Sequence, residues 1–143
     1  MDSLERYTSW FRGSTPYISA HRGKTFVVFL GGDALMHSNL VNIVHDLALL
    51  SVLGVRLAIV HGARPQLNNA LNDSLFHDGR RITSASQMQE VSAIFGALRA
   101  KLEALFSTGL PNTPLHNVEI NIVSGNFIAA QPVGIIDGVD HQC

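Results

Sequence analysis

Two short glycine loops are the places where this sequence could hold a ligand. Gly31-Gly32 follows the apolar run Lys24 to Leu30, and His61-Gly62-Ala63 follows a second apolar run, Val55 to Val60. Glycine at the end of a strand lets an anion approach backbone N–H groups and the start of a following helix. Arg64 stands directly after the second loop, and Arg81 lies a little further on. Arginine suits bidentate recognition of a carboxylate. The pattern predicts an anion or carboxylate site built from Gly31, Gly32, His61, Gly62, Arg64 and Arg81. The same glycines also suit plain tight turns between strand and helix, and the same arginines suit solvated surface charges. None of these residues is read as catalytic.

Other chemistries find no foothold in the residue spacing. The seven histidines, His21, His37, His45, His61, His77, His116 and His141, form no metal-ligating motif with one another, with a carboxylate or with Cys143. No metal and no cofactor is therefore expected in this chain. No nucleophile elbow occurs, and no Cys–His pair is credible. The net charge is -1 with no basic stripe, which argues against nucleic acid. No apolar stretch approaches the length of a membrane span, so no membrane partner is expected. The N-terminus lacks the apolar segment of a signal peptide. The single cysteine rules out a disulfide framework within the chain and fits a cytoplasmic location. Hydrophobic residues make up 46% and charged residues 15%, which favours a folded core over disorder.

The elements that would position the loops can be read from periodicity. Residues 2 to 12 suit a helix, with Asp2 as N-cap, Leu4, Tyr7, Trp10 and Phe11 near one face, and Gly13 and Pro16 ending it. So short and apolar a helix needs something to pack on, so residues 1–20 are read as an arm whose Leu4, Tyr7, Trp10 and Phe11 contact another subunit or its own domain. Lys24 to Leu30 and Val55 to Val60 read as buried strands. Ser38 to Leu53 has helical spacing, with Gly54 as C-cap. Arg64 to Leu71 opens another helix with Pro65 in its first turn. Residues 72 to 83 read as a polar loop. Ser84 and Gln87 have capping-box spacing before a long helix carrying Met88, Val91, Phe95, Leu98, Leu102 and Leu105. Val118 to Ile122 alternates as a strand, Asn126 to Val133 reads as its hairpin partner, and the tail has no completed element. This order predicts an α/β domain with a mainly parallel sheet flanked by helices, whose ligands sit beyond the carboxyl ends of the strands.

Longer strings carry a resemblance. HRGKTFVVFLGGDAL, GVRLAIVHGARPQLN, GRRITSASQMQEV and LPNTPLHNVEINIVSGNFIAAQPVGIIDGVD resemble, in order and spacing, the N-terminal region of bacterial N-acetylglutamate synthases. That region is similar to the amino acid kinases, so the resemblance implies an amino acid kinase-like fold over residues 21–143. Kinases of this superfamily carry Lys-x-Gly-Gly at the end of the first strand, and the lysine position here is Phe29. A phenyl ring offers no charge to a transferring phosphate, so kinase chemistry is not expected. The kinase pattern Gly-x-Arg-[Val/Ile]-Thr is kept at Gly79 to Thr83, which aligns Arg81 with a substrate-carboxylate arginine.

The resemblance further implies a regulatory and oligomerisation role. In the synthases the kinase-like domain binds arginine as feedback inhibitor and assembles a homo-oligomer. A separate acetyltransferase domain of the GNAT type moves acetyl from acetyl-CoA to glutamate, the first step of arginine biosynthesis. The resemblance implies that this second domain lies outside these residues and that the kinase-like domain is truncated, so this chain alone is expected to be inactive. The competing functional readings are an acetylglutamate kinase-like phosphotransferase and a non-catalytic assembly fragment.

Overall fold

The computed structural model describes residues 3–71, 75–108, 116, 118–125 and 132–141. Helix α1 spans Ser3–His21, followed by strand β1, Thr25–Leu30, the short helix α2, Gly32–Met36, and helix α3, Leu40–Val52. Strand β2, Arg56–His61, leads into helix α4, Arg64–Ala70. Strands β3, Leu75–His77, and β4, Arg80–Ile82, precede a 3-10 turn, Ala85–Gln87, and helix α5, Met88–Ser107. Strands β5, Ile135–Ile136, and β6, Val139–Asp140, follow.

The α/β architecture agrees with the sequence expectation. Strands β1 and β2 pair in parallel from Thr25↔Arg56 to Leu30↔His61. The crossover between them runs through α2 and α3, as a parallel pair requires. Gly54 ends α3 with φ +94°, a conformation that favours glycine, and its N–H bonds the Ser51 carbonyl at 2.9 Å. The remaining pairs, β3 with β4 and β5 with β6, are antiparallel hairpins.

The core lies between one face of the β1–β2 pair and the helices. Leu30, Leu35, Leu40, Val44, Leu47, Ala48, Leu102 and Phe106 are buried there, with Val28, Leu57 and Ile59 packed against them. Leu35 and Val44 are each only 1% exposed. Lys101 on α5 adds a polar tie, its Nζ donating to the Leu35 carbonyl at 2.9 Å. The opposite face is uncovered: Val27 is 73% exposed, Phe29 70% and Val60 44%. The expectation of strands buried on both faces thus holds for one face only. Among the described residues, no helix is long and apolar enough to cross a membrane.

Several other expectations are corrected. Helix α1 does not stop at Gly13 but runs through Gly13 and Pro16 to His21. Proline lacks the N–H that would bond the carbonyl four residues earlier, that of Arg12. The Thr15 hydroxyl supplies that bond instead, donating to the Arg12 carbonyl at 2.7 Å. Residues 72–83 are not all loop, since 75–82 form the β3–β4 hairpin. Its turn is Asp78-Gly79, with φ of 46° and 72°, the backbone a tight two-residue hairpin turn needs. The tail does complete an element: β5 and β6 close over Asp137-Gly138, with φ of 51° and 79°. Conversely, 118–125 has no sheet partner among the described residues, although Val118, Ile120 and Ile122 alternate in burial with exposed Glu119 and Asn121. Apolar contact of Ile120 and Ile122 with the core, rather than a hydrogen-bonded ladder, sets that alternation. The expected hairpin partner at 126–133 falls mostly outside the described residues. The capping box forms as expected, with Ser84 N–H donating to Gln87 Oε1 at 3.1 Å.

Candidate anion site at the strand ends

The parallel register fixes how the two glycine loops meet. Leu30 and His61 are partners at the carboxyl ends of their strands, and the Gly62 N–H donates to the Leu30 carbonyl at 2.9 Å. The loops are therefore neighbours. A Cβ placed on Gly62 would stand 3.4 Å from the Gly32 nitrogen and 3.6 Å from the Phe29 ring. A Cβ on Gly32 would stand 2.5 Å from both the Pro65 ring and Gln66 Oε1, and 3.0 Å from the Arg64 nitrogen. Glycine at position 32 thus lets the starts of α2 and α4 pack directly together.

Gln66 locks this junction. Its Nε2 donates to the Gly32 carbonyl at 2.7 Å, and its Oε1 is buried without a hydrogen-bond partner among the described residues. The sequence reading missed Gln66. The signal available was an amide two residues beyond Arg64, on the first turn of a helix facing the loop.

His61 is half-buried, with its ring 5.8 Å from that of Phe95 on α5. Its Nδ1 is buried and has no hydrogen-bond partner among the described residues.

The two arginines are held by the β3–β4 hairpin. Arg64 Nη2 donates to the Gly79 carbonyl at 2.6 Å. Arg81 on β4 donates to the Asn68 side-chain oxygen on α4, and its guanidinium carbon sits 4.7 Å from the centre of the Phe76 ring. Both arginines therefore fasten the hairpin to α4. The structure brings Gly31, Gly32, His61, Gly62 and the backbone of Arg64 together at the strand ends. Arg81 is joined to that group through α4.

Phe29 adds an apolar ring beside both loops. Its ring reaches to 4.0 Å from a Cβ placed on Gly31 as well as standing over Gly62. An apolar ring thus lies against the glycine loops where phosphoryl transfer would need a cation.

Residues 24–142 match the amino acid kinase family, and the chain belongs to that family. Among curated proteins it is 49% identical over 135 residues to an amino-acid acetyltransferase of Proteus mirabilis, covering 92% of this chain and 30% of that protein. It is 50% identical over 135 residues to an amino-acid acetyltransferase of Yersinia pseudotuberculosis, covering 92% of this chain and 31% of that protein. The fold superposes on N-acetylglutamate synthase from Neisseria gonorrhoeae complexed with coenzyme A and L-arginine, with a TM-score of 0.81 and 31% identity. That match covers 95% of this chain and 33% of the solved one. The same enzyme complexed with coenzyme A and N-acetyl-glutamate gives a TM-score of 0.77 at 32% identity. The chain spans about a third of the length of the relatives it matches.

Proposed function

We propose that this chain is the kinase-like segment of an N-acetylglutamate synthase-type amino-acid acetyltransferase, which serves regulation and assembly and is not catalytic by itself. The observation that carries this reading is the 49–50% identity to amino-acid acetyltransferases over 92% of the chain. In this reading the whole enzyme converts acetyl-CoA and L-glutamate to N-acetyl-L-glutamate in the cytoplasm. Acetyl-CoA serves there as co-substrate, and this segment needs no cofactor. The group of Gly31, Gly32, His61, Gly62, Arg64 and Arg81 receives the carboxylate of a small amino acid, glutamate or the inhibitor arginine. The arm, residues 1–20, joins copies into a homo-oligomer through Leu4, Tyr7, Trp10 and Phe11. Nucleic acid and membrane have no part in it. Membership of the amino acid kinase family favours a second reading, a phosphotransferase acting on an acylated amino acid, but Phe29 at the glycine loops opposes it.

Two assays and a titration test the proposal. The purified chain given acetyl-CoA and glutamate forms no N-acetylglutamate, and given ATP and N-acetylglutamate it forms no ADP. Calorimetry with arginine, glutamate and N-acetylglutamate gives binding of at least one of them. ADP formation establishes the phosphotransferase instead, acetyl transfer removes the non-catalytic role, and the failure of all three ligands to bind removes the site.

A further inference from the structure

We propose a divalent transition-metal site, of the zinc class, between the two Asp-Gly hairpins. His77 and Asp78 come from the β3–β4 turn and Asp137 from the β5–β6 turn, and one ligand atom from each lies within 4.8 Å of the other two. His77 Nε2 and Asp78 Oδ2 are 4.0 Å apart, too far for a hydrogen bond. A tetrahedral ion with bonds of about 2.1 Å holds its ligand atoms about 3.4 Å apart, so modest side-chain rotation closes this set.

An independent observation points to the same spot. His141 is only 4% exposed, and its Nε2 is buried with no hydrogen-bond partner among the described residues. His77 Nε2 is likewise buried, with no hydrogen-bond partner among the described residues and only the 4.0 Å approach of Asp78. The two rings meet edge to face with centroids 5.2 Å apart. His77, Asp78 and His141 line one depression of about 230 Å³, together with Arg80 and Ile136. Buried imidazole nitrogens without partners are unfavourable, and an ion relieves both. His77, Asp78 and Asp137 are the three ligands already within reach of one another, and His141, which lines the same depression, supplies a fourth once the side chains rotate around the ion.

The donor set selects the ion. Two imidazoles and two carboxylates suit zinc better than calcium or magnesium, which prefer oxygen alone. Arg80 opposes a cation, and the two carboxylates offset it. The ion would clip together hairpins that lie far apart in sequence, which is why no ligand spacing is visible in the chain and why the sequence reading expected no metal.

The test uses the whole chain, stripped with a chelator and then titrated with Zn2+ by calorimetry and with Co2+ by visible absorption. Binding of one equivalent with a dissociation constant of about 10 μM or tighter is expected, with the intense Co2+ bands of a four-coordinate site. Asparagine tolerates positive φ as aspartate does, so Asp78→Asn and Asp137→Asn preserve the turns. Each is expected to weaken Zn2+ binding at least about tenfold, and His77→Gln likewise. Arg80→Gln is expected to tighten it. Unaltered affinity in the Asp78→Asn/Asp137→Asn double variant with an unchanged circular dichroism spectrum overturns the site, as does the lack of any stoichiometric binding. Co2+ broadening of the His77 and His141 ring resonances in the unsubstituted chain gives the answer without a variant. Broadening confined to other histidines overturns the assignment.

Discussion

A methyl group at Gly32 would sit 2.5 Å from the Pro65 ring and 3.0 Å from the backbone nitrogen of Arg64. The proline ring and the backbone of α4 cannot swing away as a flexible side-chain tip can. Gly32→Ala is therefore expected to cost about 1–3 kcal/mol by overpacking. The measurement is a fall in the urea midpoint at unchanged slope. Arg81 makes a second case at this scale. If its guanidinium receives a ligand carboxylate, Arg81→Ala removes a charged hydrogen bond contributing about 1.5–3 kcal/mol. Binding of glutamate or arginine then weakens by about one to two orders of magnitude in calorimetry. Equal affinity in wild type and variant would make Arg81 a structural residue, acting through contacts that include Asn68 and Phe76. The convergence of Gly31, Gly32 and Gly62 was legible because adjacent parallel strands bring their carboxyl ends together whatever their side chains. The locking role of Gln66 was not, because it depends on where α4 starts in space.

Elements with strong internal periodicity were legible, and those defined by a partner were not. The apolar spacing of α3 and α5 announces which face meets the core, and Leu40, Val44, Leu47 and Leu102 are buried as that spacing requires. The hairpins β3–β4 and β5–β6 have strands of three and two residues, too short for alternation to register. Their readable signal was the dipeptide Asp-Gly, at 78–79 and again at 137–138. Helix α1 shows the opposite error. Gly13 and Pro16 are breakers by propensity, yet the helix continues to His21 with Thr15 bonding the carbonyl that Pro16 leaves open. A proline inside a helix costs up to about 3 kcal/mol relative to alanine. Pro16→Ala is accordingly expected to slow amide hydrogen exchange across the second half of α1 in the whole chain. Unchanged protection there would mean that the Thr15 hydroxyl offsets the proline in full.

At the scale of the molecule, apolar surface is unevenly distributed. The helices cover one face of the β1–β2 pair and leave Val27, Phe29 and Val60 open on the other. Parallel strands are ordinarily covered on both faces. Helix α1 adds Leu4, Tyr7, Trp10, Phe11 and Tyr17, each more than half exposed, and buries no residue of its own. Contiguous exposed apolar patches mark contact surfaces, and the net charge of -1 offers little repulsion against association. The chain is therefore expected to associate with itself at high concentration, and ultracentrifugation reads this as a mass above that of the monomer. Two sets of variants separate the surfaces. Val27→Lys with Val60→Lys puts charge on the open sheet face without touching the core, since both side chains point away from Val28, Leu57 and Ile59. Removing residues 1–13 takes away Leu4, Tyr7, Trp10 and Phe11. If the arm joins subunits, its removal lowers the mass while the lysine pair leaves a defined oligomer. If the sheet face drives association, the lysine pair alone restores the monomer. A monomer at high concentration in the unaltered chain would refute both, and the two open surfaces would then be tolerated in solution without a partner.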